Sequence, residues 1–435
     1  MSIEEAAAAE MRVEDLKELK RAFNSGGAEE CRRLLEKKRD DWKFTELNVA
    51  VIGNSGVGKS SFINAIRGLT ADDKGGAPVS VNECVVKDPK ICSFSHPDNP
   101  LLKFWDLPGV GTDRYRRDSY LKEIEIDRYD FFLLITAVRF TENDTWLAEE
   151  IRKRGKKYYL IRTKIDNDLS NNKLAHPKTH KDEKAVEEDI RESIQQQLRA
   201  NGHADVRVFL IDNYDPTKFG FEDFKYYLAK DFPEVKKKAL ILTLKANSNK
   251  MISLKVEQLR SRAWGMAILS AIVAAVPVPG ASVGANYAMV TRETGVYFKQ
   301  LDLDEQSLSK CYPKPKHRPT SSDDSKLQSI VDGSLGRTGL NCEGIKNLLK
   351  RSSRSLLDDA ATLEFFRFIP IYGAYTIYQE TQRALEAVID EMERVALEVV
   401  KEAVKNMCDD ESNKVVNAAV NNMCDDESNK HDTET

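Results

Sequence analysis

Apolar residues alternate with polar or small ones at Leu47, Val49 and Val51, and Ile52 closes the run. That spacing predicts a short buried strand rich in β-branched residues. Four further apolar runs, at 101–105, 131–137, 157–162 and 206–211, predict strands of the same kind. A weaker run at 81–86 predicts an edge strand. Between them the apolar period becomes helical, most clearly at 144–154 and 183–200. Thr141 and Asp144 have the spacing of a capping box before the first of these helices. Strands alternating with helices predict an α/β unit, a mostly parallel sheet covered on both faces. Ligands of such sheets bind at the carboxyl ends of the strands.

Both flanks carry helical periodicity only. Leu16, Leu19 and Phe23 predict one helix, and Cys31, Leu34 and Leu35 a second, with Asn24-Ser25-Gly26-Gly27 breaking the pattern between them. Neither is apolar enough to stand alone, so both are expected to pack on something later in the chain. From Pro233 onward the strand signals fade. Helical periodicity takes over there, and residues 235–255 are charged and amphipathic. Residues 266–278, from Met266 to Val278, form the most apolar stretch, with Ser270 its one polar residue. It is too short to span a bilayer, and Pro277 and Pro279 end it. It reads as a buried core helix, with a membrane-inserting hairpin as the alternative. Residues 311–341 are rich in Pro, Ser, Gly and Lys and predict a loop or linker. Residues 344–357, from Gly344 to Leu357, place Ile345, Leu348 and Leu349 among Lys346, Lys350, Arg351 and Arg354. That pattern suits a membrane surface or an ordinary helix with a solvated face. Residues 365–378 and 385–404 read as the last two helices. The tail holds two identical copies of Asn-Met-Cys-Asp-Asp-Glu-Ser-Asn-Lys, beginning at Asn406 and Asn422. Its acidity predicts disorder.

The chemistry concentrates behind the first strand. Gly53-Asn54-Ser55-Gly56-Val57-Gly58-Lys59-Ser60-Ser61 follows Ile52 directly, and a helical pattern with Phe62, Ile63 and Ile66 on one face follows it. Strand, glycine loop and helix together are the setting of a P-loop. Backbone N–H groups there converge on phosphate oxygens, and the helix N-terminus adds partial positive charge. Lys59 is expected on the β- and γ-phosphates and Ser60 on Mg2+. Asp106-Leu107-Pro108-Gly109 follows the second strong strand. Asp106 is expected to hold the Mg2+ through water, and the Gly109 N–H to contact the γ-phosphate. Thr163-Lys164-Ile165-Asp166 follows another strand. The Asp166 carboxylate can accept from the ring N–H and exocyclic amine of guanine, donors that adenine lacks on that edge. The Lys164 stem can cover the base. Asp212-Asn213, behind the last strand, fits a further base-contacting loop.

Composition narrows the setting. A chain of 435 residues suits two or three domains. A net charge of −4 leaves no dominant basic surface, so nucleic acid is not an expected partner. Seven cysteines lie scattered without ligand spacing, and Met1–Glu10 resembles no signal peptide, which suits reduced cysteines in the cytoplasm. Met1-Ser2-Ile3 lacks the glycine of an N-myristoylation site.

The order of these motifs is that of GTPases in general, and the text around them is narrower. Trp105-Asp-Leu-Pro-Gly-Val-Gly-Thr112, Tyr129-Asp-Phe-Phe-Leu-Leu-Ile135, Arg139-Phe-Thr-Glu-Asn-Asp144 and Arg162-Thr-Lys-Ile-Asp-Asn-Asp168 resemble the immunity-related (interferon-inducible) GTPase family. So do Lys230-Asp-Phe-Pro233, Val276-Pro-Val-Pro-Gly280 and Phe368-Ile-Pro-Ile371, and the likeness covers most of the chain between Glu14 and Val400. It implies an α/β P-loop GTPase domain, mostly parallel and Ras-like, joined to an all-α helical domain made from the N- and C-terminal segments. The expected bounds are 1–44 for N-terminal helices, 45–232 for the GTPase domain, 233–405 for C-terminal helices and 406–435 for the tail. It also implies GTP and GDP as ligands with Mg2+, and a homodimer or oligomer formed through the GTPase face. The implied setting is cytoplasmic, peripheral on intracellular membranes, in cell-autonomous defence. Residues 344–357 or 266–278 are the implied membrane contacts. Lys59 places the chain with the Gly-Lys-Ser branch. Glu83 matches a family glutamate linked to catalysis across the dimer. Val79 and Val85 depart from the family, whose first switch carries threonines there, and leave Ser80 as the loop's hydroxyl. Val110 stands behind Gly109, near where small regulatory GTPases keep a water-orienting glutamine. Hydrolysis is therefore expected to be slow unless a second molecule supplies a group. A monomeric switch and a GTP-binding scaffold with little turnover are the alternatives.

Overall fold

The computed structural model describes residues 3–79, 91–110, 115–137, 141–274, 282–311, 322–335 and 374–431. Its internal packing divides the chain into Asp40–Leu244 and a second unit, Met1–Arg39 with Lys245–Thr435.

The Asp40–Leu244 unit is built on six strands, β1 (Leu47–Ile52), β2 (Cys92–His96), β3 (Asn99–Asp106), β4 (Phe131–Thr136), β5 (Tyr158–Arg162) and β6 (Val208–Leu210). They lie in the order β2-β3-β1-β4-β5-β6. All neighbours are parallel except β2 and β3, which form an antiparallel hairpin. Its helices are α2 (Lys59–Arg67), α3 (Arg117–Glu123), α4 (Glu142–Lys153), α5 (Ile165–Ala175), α6 (Glu183–Ala200), α7 (Phe221–Asp231) and α8 (Glu234–Thr243).

The period of two along each strand sorts the core into two layers. Ala50, Ile52, Phe132, Leu134, Leu160 and Leu210 join Tyr120, Leu147, Ile151 and Leu198 on one face. Phe131, Tyr159 and Phe209 point to the other and meet Phe224 and Phe232 through edge-on and stacked ring contacts. Full burial of each such ring stabilises by about 2–3 kcal/mol.

Two differences from the sequence reading concern edges. The edge strand described here is Cys92-Ser-Phe-Ser-His96, mostly exposed and poor in β-branched residues, so pattern alone passes over it. The run at 81–86 lies outside the described residues. The unit also extends to Leu244, beyond the expected 232. The reason is α8, which buries Ala239, Leu240 and Ile241 and is tied to the sheet by side chains. Asn99 Nδ2 donates to Thr243 Oγ1 at 2.9 Å, and Lys236 pairs with Asp130 at 2.9 Å.

The second unit contains α1 (Ile3–Asp40, whose last residue falls across the division), α9 (Asn249–Ala274), α10 (Ser282–Gln300), α11 (Glu305–Cys311), α12 (Ser322–Leu335) and α13 (Ala374–His431). Gly26 and Gly27 leave helical dihedrals inside α1, where the sequence predicts the break. Leu16, Leu19, Cys31 and Leu35 pack into one core with α9, α10, α12 and α13. Met266 to Ile272 are buried in that core, and residues 275–278 lie outside the described set. Among the described residues, no helix is long and apolar enough to cross a membrane.

Three expectations are corrected in this unit. Within 311–341, residues 322–335 form α12, because Leu327, Val331 and Leu335 recur every four residues and are buried despite the Ser, Asp and Gly around them. The two helices expected at 365–378 and 385–404 have no break between Tyr378 and Leu385: Gln379-Glu-Thr-Gln-Arg383 favours helix, and α13 runs through. Residues 406–431, expected to be disordered, continue α13 in their backbone, where neither Pro nor Gly interrupts the run.

Candidate functional site

The loops marked by the motifs all leave carboxyl ends of parallel strands. Behind β1, Gly53 has no room for a side chain: a Cβ there would stand 2.2 Å from the Ile135 carbonyl oxygen of β4. Asn54, Ser55 and Gly56 are exposed at the loop tip, and Gly56 and Gly58 take left-handed backbone, φ 75° and 91°. Gly58 then caps α2, whose first residues are Lys59, Ser60 and Ser61. No acid stands in that first turn, so the helix end keeps its partial positive charge. Lys59 Nζ donates to the Gly53 and Asn54 carbonyls at 3.0 and 3.1 Å, which folds the ammonium over the loop.

The other loops are stitched to this one. Ser60 Oγ donates to Asp106 Oδ2 at 2.8 Å, joining a hydroxyl and a carboxylate from different loops. Gly109 lies against the P-loop as well, for a Cβ on it would stand 3.2 Å from the Gly53 carbonyl. Thr163 Oγ1 donates to the Val57 carbonyl at 2.6 Å, and Asn213 Nδ2 to the Gly58 carbonyl at 3.1 Å. The phosphate loop and the base loops are therefore one hydrogen-bonded assembly.

Lys164 sits at φ 61° as the cap of α5, so Asp166 falls in that helix's first turn rather than in a free loop. Asp212 takes the Tyr214 N–H at 2.8 Å. Burial raises the Asp212 pKa, and the Asp166 charge adds to it. Asn213 Oδ1 is buried without a hydrogen-bond partner. Behind the loop, Arg162 is buried and donates to the Thr163 carbonyl and, at 2.6 Å, to Asp168 Oδ2. Burial lowers the Arg162 pKa and raises that of Asp168, so desolvation opposes both charges of the pair.

The structure thus brings together Gly53 to Ser61, Asp106, Gly109, Thr163, Lys164, Asp166, Asp212 and Asn213. Glu83 with Ser80 and Val85, and the segment 344–357, lie outside the described residues. Val110 is buried among Leu107, Tyr115 and Tyr120, which turns it into the core. Several residues at the site escaped the sequence reading. Tyr214 is exposed, and its hydroxyl lies 3.4 Å from Ser61 Oγ. Nothing in the sequence marks it, nor Tyr120, whose hydroxyl holds the Pro108 carbonyl. Arg162 and Asn143 stood inside the motif text without a role.

The family model described as Interferon-inducible GTPase (IIGP) matches residues 12–325. Interferon-inducible GTPase 5 of Rattus norvegicus is 32% identical over 400 residues, covering 90% of this chain and 84% of the relative. The protein of the same name from Bos taurus is 32% identical over 410 residues, covering 92% and 86%. Interferon-gamma-inducible GTPase 10 of Mus musculus is 33% identical over 265 residues, covering 61% and 63%. A P-loop, an acid behind β3 and a Thr-Lys-x-Asp turn behind β5, bonded to one another on a mostly parallel sheet, agree with that kinship. The chain belongs to the interferon-inducible GTPase family and is a P-loop GTPase.

Proposed function

We propose that this GTPase binds GTP and GDP across residues 53–61, 163–166 and 212–213, and that it hydrolyses GTP faster when two copies meet. The observation that carries the reading is the bonding of the base loops to the P-loop backbone through Thr163 and Asn213. Base recognition and phosphate binding then share one rigid frame. In the proposed complex Lys59 leaves the Gly53 and Asn54 carbonyls close by and neutralises phosphate charge. Asp166 accepts from guanine, and Lys164 lies along the base.

Ser60 and Asp106 offer a hydroxyl and a carboxylate within 2.8 Å of each other, the oxygen donor set that suits Mg2+. Ser60 and Asp106 would hold the ion, which would supply positive charge to neutralise the charge developing on the transferred phosphoryl group. The Gly109 N–H faces the γ-phosphate in this reading and senses its loss.

Val110 supports the dependence on a second molecule, since its buried side chain cannot orient an attacking water. Glu83 is the proposed partner-dependent group, in line with the family likeness. A place on intracellular membranes, contacted by 344–357, and a part in interferon-induced defence are proposed on kinship alone.

The test is GTP turnover per molecule across a protein concentration series, with Lys59→Ala as the control. Turnover should rise with concentration, and Lys59→Ala should lose both tight binding and turnover. A flat series would point to a lone switch, and binding without single-turnover hydrolysis to a scaffold. Wild-type activity surviving in Lys59→Ala would refute the site itself.

A further inference from the structure

The loop from Asp106 to Val110 is held from behind by two side chains that belong to neither the P-loop nor the base loops. Tyr120, on α3, is fully buried, and its hydroxyl donates to the Pro108 carbonyl at 2.6 Å. Its ring is wedged edge-on between Tyr115 and Trp146, with centroids 6.2 and 6.4 Å away. Asn143, in the first turn of α4, donates from Nδ2 to the Val110 carbonyl at 3.1 Å. Arg117 Nε donates to Asn143 Oδ1 at 2.8 Å, and this fixes which end of the amide faces the loop. The Thr141–Asp144 capping box anchors that turn in its own right.

The Pro108 carbonyl and the Gly109 N–H belong to one peptide unit. In a planar trans peptide the C=O and N–H point in opposite directions, and no peptide in the described chain is cis. A hydrogen bond that pins the carbonyl toward buried Tyr120 therefore aims the Gly109 N–H away from the core. Gly109 itself lies beside Gly53 and Asn54 of the P-loop. The residue best placed to rotate this peptide, a glycine neighbour free of Cβ, is held in one orientation by a phenol.

We infer that Tyr120 is a positioning residue for γ-phosphate recognition: its hydroxyl presets the Gly109 amide toward the nucleotide, and Asn143 braces the next carbonyl of the same loop. This deepens the proposed function and rests on its reading of Gly109 as a γ-phosphate contact. GDP offers the amide no partner, so the preset direction matters for GTP alone. Without the hydroxyl, the Pro108 carbonyl loses its buried donor and the peptide is free to turn. Binding GTP must then restore an orientation that the wild type already has.

The test is Tyr120→Phe, which keeps the ring and its packing and removes only the donor. Affinities for GDP and for the non-hydrolysable β,γ-imido analogue of GTP are measured by calorimetric titration with Mg2+. The analogue should bind roughly five- to tenfold more weakly, the equivalent of one hydrogen bond. GDP affinity should stay within about twofold. A parallel loss of both ligands, or no loss of either, overturns the inference. Failure of the wild type to bind either nucleotide would instead sink the proposed site. Should Tyr120→Phe unfold, Asn143→Ala decides by the same ratio: a selective loss of the analogue supports the brace, and an unchanged ratio overturns it.

Discussion

Replacing Gly53 and Gly56 by alanine, one at a time, should weaken the Asp40–Leu244 unit by very different amounts. The two glycines lie three residues apart in one loop and are needed for different reasons. At Gly53 a Cβ would stand 2.2 Å from the Ile135 carbonyl oxygen and 3.1 Å from its carbon. Both atoms are backbone, so the end of β1 must move from β4 by about 1 Å. Overpacking of that kind costs about 3 kcal/mol, the upper part of the usual range, because no side chain can rotate away. At Gly56 nothing stands within 4 Å of an added Cβ, and only the positive φ of 75° opposes it. Left-handed backbone costs about 1–2 kcal/mol, partly offset by lost freedom in the unfolded chain, which leaves about 0.5–1 kcal/mol. For a unit of this size each kcal/mol moves the melting point by roughly 2–4 °C. The expected losses are therefore about 6–12 °C for Gly53→Ala and about 1–4 °C for Gly56→Ala. Tryptophan fluorescence without nucleotide reads this unit if Trp264 is first changed to Phe, because Trp42, Trp105 and Trp146 all lie within it. Equal losses, or a larger loss at Gly56, would refute the reasoning.

Three further outcomes are expected. Asp166→Asn should cut the preference for GTP over ATP by on the order of tenfold or more in competition binding, and an unchanged preference would remove Asp166 from the base site. Asp168→Asn should destabilise the same unit by about 2–3 kcal/mol in denaturant melts, below the range for a fully buried pair because Asp168 is about one-third exposed; an unchanged midpoint would show that the Thr163 carbonyl alone suffices for Arg162. Burial alone would raise the Asp302 pKa, but Lys255, Lys245 and the Ala246 N–H outweigh it and hold the carboxyl below its ordinary value. With its folded pKa depressed, Asp302 stabilises the second unit above about pH 4 and loses that contribution as pH falls through the folded value. Asp302→Asn should lower stability at neutral pH and flatten the acid limb of the stability curve, and an acid limb as steep as the wild type's would assign it to other carboxylates.

The sequence alone determined the P-loop, the acid behind β3, the Thr-Lys-x-Asp turn and the alternation that makes the sheet parallel. These features are local: a phosphate loop needs its glycines, lysine and serine at fixed spacing, and a buried strand shows its period within six residues. Even the α1 break was visible, because Gly26 and Gly27 are adjacent. What spacing could not supply was contact at long range. That Thr163 holds the Val57 carbonyl, 106 residues away, follows only from the neighbouring positions of β1, β4 and β5 in the sheet. The Leu244 boundary was hidden for the same reason, since α8 reads like any amphipathic helix until Asn99 and Asp130 bind it. The exposed edge strand β2 was silent because its pairing comes from the β3 backbone, which requires no particular side chains. Tyr120 was silent because a tyrosine inside a short helix has no motif. Its role arises when the fold sets its hydroxyl 2.6 Å from the Pro108 carbonyl, twelve residues back in the chain.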